Sequence, residues 1–168
     1  MSERLLKALL VMLLVAAPSL AQTSADLRRK YGEPETLSNK SSPNRIERYK
    51  LRPGVFMTVK FAGEDAICEM LFEPVRTSNE RSGTSGVLAE DEVGRIVEEF
   101  APVAKRGRPI IKLTRPGHDC TTVGYNEYEQ VMILLIVRCE KQGGGTHSVK
   151  IRWKATACES INERGRVS

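Results

Sequence analysis

His118, Asp119 and Cys120 place a base, an acid and a thiol in consecutive positions. A cysteine needs a neighbouring base or cation to be a thiolate near neutral pH, so the triplet has the composition of a nucleophile. Adjacency in sequence is not the geometry that proton transfer requires. Adding Cys139 and His147 completes a set of zinc-ligand types, but spacings of 2, 19 and 8 match no compact finger or ribbon, and no metal or cofactor is expected. Glu69 and Glu73 form the nearest approach to an acidic pair. On one extended strand they stand about 13 Å apart, too wide for a retaining glycosidase. Gly83, Thr84, Ser85 and Gly86 have no strand before them and no helix immediately after, so they make neither a phosphate loop nor a nucleophile elbow. Arg28, Arg29, Lys30 and Lys105, Arg106, Arg108 would contact an anionic surface if the fold brought them together. Basic runs are usually solvated and only Tyr31 adds an adjacent aromatic, so no nucleic acid is expected. No residue is assigned a catalytic role.

The setting of these residues follows from the first 21. Arg4 and Lys7 precede an apolar run over 8–17, Pro18 breaks it, and Ser19 and Ala21 are small enough for a signal peptidase. Residues 1–21 are therefore expected to be a signal peptide, the run being too short to span a bilayer, and the chain is expected to be exported to the periplasm or secreted without a stable membrane span. Residue 22 is Gln, not the lipid-modified Cys of a lipoprotein. Removing the leader takes the net charge from +5 to +4 with both signs interspersed.

All four cysteines, Cys68, Cys120, Cys139 and Cys158, lie in the mature part, and an even number in an exported chain reads as disulfides. Cys139 shares the parity of Val131, Ile133, Leu135 and Val137, which favours a bond with Cys120. Cys68 then pairs with Cys158 or stays a buried thiol.

The elements that must position these groups form one α+β domain over 22–168. Ser24 reads as the N-cap of a helix over 24–31, with Leu27 and Tyr31 on one face and Gly32 and Pro34 ending it. Residues 35–44 read as a loop and 45–51 as a weak strand. Val55, Met57, Val59 and Phe61 alternate with polar or exposed neighbours, and the return strand sets Ala66, Cys68, Met70 and Phe72 against Ile67, Glu69, Leu71 and Glu73. A flexible connection over 75–88 separates the halves. Val93, Ile96, Val97, Phe100 and Ala101 then recur at helical spacing behind Glu90, Asp91 and Glu92, with Pro102 as the limit. A strand over 110–113 and a turn-rich loop over 116–126 lead to the continuously apolar 131–137. Seven such residues cannot cross a membrane, but both faces of a central strand, covered by helix and by sheet or a partner, could bury them. Gly143 to Gly145 turn the chain into a last strand over 147–154. The expected fold is two short helices packed on an antiparallel sheet, with two units of one helix and three strands suggested by an offset of about 65 residues. No repeat of residues supports a duplication.

Tyr31-Gly32-Glu33-Pro34 after a helix, Thr58-Val59 in a strand, Cys68-Glu69-Met70 with Glu73-Pro74, Arg106-Gly107-Arg108, and Ile151-Arg152-Trp153 span most of the mature chain. In these pieces the chain resembles an uncharacterised family of exported bacterial proteins. The resemblance implies location and fold and transfers no catalytic residue. A helix ending in Gly-Glu-Pro before a β-meander is also similar in outline to small outer-membrane assembly lipoproteins and to the modules of β-lactamase inhibitor proteins, both of which bind proteins. Export, the absence of a catalytic constellation and basic loops beside a rigid sheet lead to the function expected, non-enzymatic binding of an unknown protein or cell-envelope component. A small envelope hydrolase using Cys120 or an unrecognised acidic pair is the alternative, and the oligomeric state stays open.

Overall fold

Thr23, not Ser24, caps the first helix. Its hydroxyl accepts from the Asp26 amide at 3.2 Å, while the Asp26 carboxylate accepts from the Thr23 amide at 3.2 Å, a reciprocal box that satisfies two helix-end donors. Ser24 becomes the first residue of α1 (Ser24–Tyr31), and its hydroxyl is released to reach into the core. The computed structural model describes residues 22–37, 45–63, 65–75, 86–156 and 158. The expected leader and residues 76–85 of the expected connection lie outside them. At the far end of that connection Leu88 is buried, and its amide donates to the Thr146 carbonyl at 2.7 Å.

After α1 come β1 (Glu35–Thr36), β2 (Arg45–Arg52), β3 (Val55–Ala62) and β4 (Ala66–Pro74). The second half holds α2 (Glu90–Phe100), α3 (Val103–Arg106), β5 (Pro109–Pro116), β6 (Thr121–Tyr128), β7 (Val131–Arg138), a 3-10 turn (Glu140–Gln142) and β8 (Thr146–Trp153). The strands make one eight-stranded antiparallel sheet in the order β1-β2-β3-β4-β8-β7-β6-β5. Each half thus has four strands rather than three, behind one helix in the first half and two in the second. The additions are β1, which is only two residues long, and β6, which occupies most of the expected loop over 116–126.

The helices share one face. Leu27 of α1 and Ile96 and Phe100 of α2 join Tyr49, Met57, Val59, Met70, Phe72, Val149, Ile151, Val131 and Ile133 in a single core. The rings of Phe72 and Phe100 lie 4.8 Å apart, and Tyr31 stands edge-on to Tyr49 at 6.4 Å. Arg52 ties the end of β2 to α2 through Glu92 at 3.1 Å and Glu99 at 2.5 Å.

The alternation expected for β4 holds from Glu69 to Glu73 and fails before it. A register shift falls between Lys60 and Phe61, so Lys60 opposes Glu69 while Phe61 opposes Ile67, leaving Cys68 as the extra residue of a bulge. Ile67 is thereby carried into the core and Ala66 out to solvent, the reverse of simple parity. Cys68 stays buried and is bonded to Cys158.

Candidate functional site

Opposite the helices the sheet carries a second face over which no described helix lies. Strand register places its side chains in cross-strand rows. One row runs Ile111, Glu127, Met132, Arg152, Glu69, Lys60, and the next runs Leu113, Tyr125, Leu134, Lys150, Leu71, Thr58, Arg48. A third begins Arg115, Val123, Ile136, Ser148 and is continued on β3 and β2 by Phe56 and Lys50.

The polarity of this face changes along the rows, from charged on β2, β3 and β4 to apolar on β5, β6 and β7. On β2, β3 and β4 the apolar side chains lie under the helices, and this open face carries Arg48, Lys50, Lys60, Glu69 and Glu73 among fewer apolar residues. On the outer ribbon β5–β6 the side shared with the helices holds Lys112, Thr114, Thr122, Gly124 and Asn126, whereas the uncovered side holds Ile111, Leu113, Val123 and Tyr125. Strand β7 is apolar on both. Val131 and Ile133 are buried beneath the helices, and Met132, Leu134 and Ile136 are only half-buried on the open face. Apolar surface left half-exposed on a pleated sheet is what docking surfaces are made of. The continuous run over 131–137 was the sequence signal for apolar side chains on both faces of this strand. The partners on β5 and β6 could not be named without the register.

Charge at the centre of the open face is organised around Glu69. Its carboxylate is nearly buried and accepts from Arg152 Nε at 3.0 Å and Nη2 at 2.6 Å, with Lys150 at 3.5 Å. Burial pushes the carboxyl up, but the Arg152 hydrogen bonds and the charges of Lys150, Arg152 and Lys60 more than offset this and hold it below the usual range. Glu69 is therefore a buried counter-ion, not the exposed strand charge that alternation implies. Arg48 stands over Phe56, its guanidinium carbon 4.4 Å from the ring centroid.

The nucleophile triplet sits elsewhere, in the β5–β6 turn. Cys120 is bonded to Cys139, with Cα atoms 5.6 Å apart, and the four cysteines form two disulfides. Asp119 and Cys120 have φ of 51° and 61°, and His118 is exposed. The Cys139 amide donates to the Cys120 carbonyl at 3.0 Å, so backbone and disulfide together tie the turn to the end of β7. Among the described residues, no group of three or more His, Cys, Asp or Glu is placed to hold a metal ion.

One cation of each basic cluster reaches α2, Lys30 through Glu99 and Arg106 through Glu98, and the others are spread over different elements. Arg28 pairs with Glu47 at 2.7 Å, Arg29 with Asp26 at 2.5 Å and Lys30 with Glu99 at 2.7 Å. Arg106 turns inward, donates to the Ala101 carbonyl at the end of α2, and pairs with Glu98 at 3.1 Å. Arg108 pairs with Glu129 at 2.6 Å, and Lys105 is exposed. Side-chain partners within the fold thus engage five of the six cations.

A buried cluster missed by the sequence reading anchors α1. The Glu47 carboxylate accepts from Tyr49 Oη at 2.6 Å, Ser24 Oγ at 3.0 Å and Arg28 at 2.7 Å. Burial pushes its carboxyl up, yet these bonds and the Arg45 charge hold it below the usual range. Burial and the same contact push the Tyr49 phenol up to about 12.

No protein-family model and no curated protein matches the chain. Two solved structures are similar in outline. A DUF4309 family protein, YjgB from Bacillus subtilis subsp. subtilis str. 168, is 15% identical over 80% of each chain with a TM-score of 0.45. An extracellular protein containing a SCP domain from Bacillus anthracis str. Ames is 9% identical over 84% of this chain with a TM-score of 0.39, and the match spans 46% of that protein. At these levels neither carries a function across. No helix among the described residues is long and apolar enough to cross a membrane.

Proposed function

We propose that the chain is an exported, non-enzymatic binding protein, one of an uncharacterised family, that seats a protein or envelope component on the uncovered face of β5, β6 and β7. The reversed polarity of the β5–β6 ribbon carries this reading. Ile111, Leu113, Val123 and Tyr125 face away from the helix layer and continue the apolar side chains of Met132, Leu134 and Ile136, while the ribbon's other side is polar, so its apolar residues are gathered on one face and left in part exposed. Two disulfides fit an oxidising compartment.

Photo-crosslinking residues introduced in producing cells at Tyr125, Leu134 and Lys105 test the reading. Adducts are expected from the first two positions. Adducts from Lys105 alone would transfer binding to the basic clusters and overturn it. The thiol version of the hydrolase alternative requires a thiolate at Cys120. A maleimide reagent that labels Cys120 before reduction would restore that alternative, and none is expected to.

A further inference from the structure

We infer that the partner of the open face is a protein whose docking surface is apolar at its centre and rimmed by carboxylates. The inference rests on the docking face just proposed and adds the chemistry of what docks. On and beside the apolar block of β5–β7, the same face carries seven cations, Arg48, Lys50, Lys60, Arg115, Arg138, Lys150 and Arg152, against three carboxylates, Glu69, Glu73 and Glu127. Glu69 is already shared by Lys150 and Arg152, and Lys154 takes Glu127 at 2.6 Å. Arg115 and Lys50, at opposite ends of one cross-strand row, are exposed. The surplus positive charge flanks the apolar block, so a partner that matches both must be acidic around an apolar centre.

Each competing occupant fails one half of that match. A second copy of the chain would set two cationic faces against each other, which like-charge repulsion opposes. A polyanionic polysaccharide satisfies the cations but leaves Leu113, Tyr125 and Leu134 uncovered. A lipid surface takes apolar groups buried about 5 to 10 Å below the headgroups, whereas Met132, Leu134 and Ile136 are half-buried among their strand neighbours, with Ile111 alone of the block's large apolar residues exposed.

The experiment takes the protein cross-linked from Leu134, purifies it, and measures association and dissociation rates with the full mature chain at low and high salt. Variants are Arg115→Glu with Lys50→Glu, and Leu134→Ala, each checked for a wild-type thermal transition. Association is expected to fall about tenfold with salt and to fall similarly in the charge-reversed pair. Leu134→Ala is expected to act mainly on dissociation. An association rate indifferent to both salt and charge reversal overturns the acidic partner while leaving the docking face standing. An adduct that is lipid, polysaccharide or a second copy overturns the partner class. No adduct from Tyr125 or Leu134 refutes the docking face itself, and the inference falls with it.

Discussion

Replacing Glu47 by Ala is the sharpest test of how the fold is held. The carboxylate is fully buried and serves Tyr49 Oη, Ser24 Oγ and Arg28, which come from β2 and α1. Arg28 is partly exposed and can rehydrate. Tyr49 and Ser24 cannot, since their residues are 1% and 4% exposed. Each hydroxyl left without an acceptor costs about 1 to 3 kcal/mol, so with two of them Glu47→Ala is expected to destabilise by roughly 2 to 6 kcal/mol. That is a large share of the roughly 5 to 15 kcal/mol typical of a domain. Urea unfolding at neutral pH with disulfides intact measures it. Removing the orphaned donors as well, in Glu47→Ala with Tyr49→Phe and Ser24→Ala, should recover part of the loss, because replacing both partners is cheaper than stranding one. In Glu47→Ala the Tyr49 phenol, read by ultraviolet titration, should also fall from about 12 toward its ordinary 10. A single variant within about 0.5 kcal/mol of wild type, or a triple variant no better than the single one, would refute the account of this cluster as a buried anchor.

The same bonds set a pH window. Glu47, Glu69 and Glu99 titrate below the usual range when folded, so their stabilisation is complete above the ordinary glutamate value and is lost as pH falls through the lowered one. Tyr49 is raised, so its contribution is present below pH 10 and is lost as pH rises toward about 12; chemical denaturation across pH should show both flanks. Gly94 lies in α2, where an added Cβ would meet only open space, and should gain about 0.5 to 1 kcal/mol on substitution by Ala. Gly107 has φ of +74° and would place a Cβ 2.8 Å from that of Glu129, so Gly107→Ala should lower the unfolding midpoint by more than Gly94→Ala raises it. Replacing Cys68 and Cys158 by Ser opens a link across 90 residues and should cost about 4 to 5 kcal/mol, against about 3 for Cys120 with Cys139 across 19.

Strong local patterns were legible in the sequence, and long-range register was not. α1, α2, β3 and most of β4 follow from helical spacing and alternation, since each buries one face. The inversion of Ala66 and Ile67 was hidden because a bulge is decided by the partner strand, here by Lys60 and Phe61 of β3. Thr121 to Tyr128 was hidden because Gly124 and Asn126 interrupt its strand character, and only pairing with β5 and β7 makes it a strand. The apolar run of β7 signalled a face in need of cover, but which residues of β5 and β6 share that face is decided by pairing between strands. Glu47 gave no signal at all. A lone Glu in a strand reads as solvated until α1 is seen lying over it.

Ile133 and Leu134 are adjacent in sequence and lie on opposite faces, so together they separate folding from docking. Ile133 is 3% exposed and opposes Ile151 beneath the helices, whereas Leu134 is half-buried between Tyr125 and Lys150 on the open face. Truncating a buried Ile to Ala costs about 2 to 5 kcal/mol, because packed neighbours do not close the cavity. Leu134→Ala opens onto solvent and should cost about 1 kcal/mol or less. Equal costs would mean that Leu134 is core, covered by some part of this chain, and the open face would lose its claim to a partner. A large cost at Ile133 beside a small one at Leu134 would leave an apolar side chain that folding does not require. Its retention across the β5–β7 block is then explained by what the face must hold.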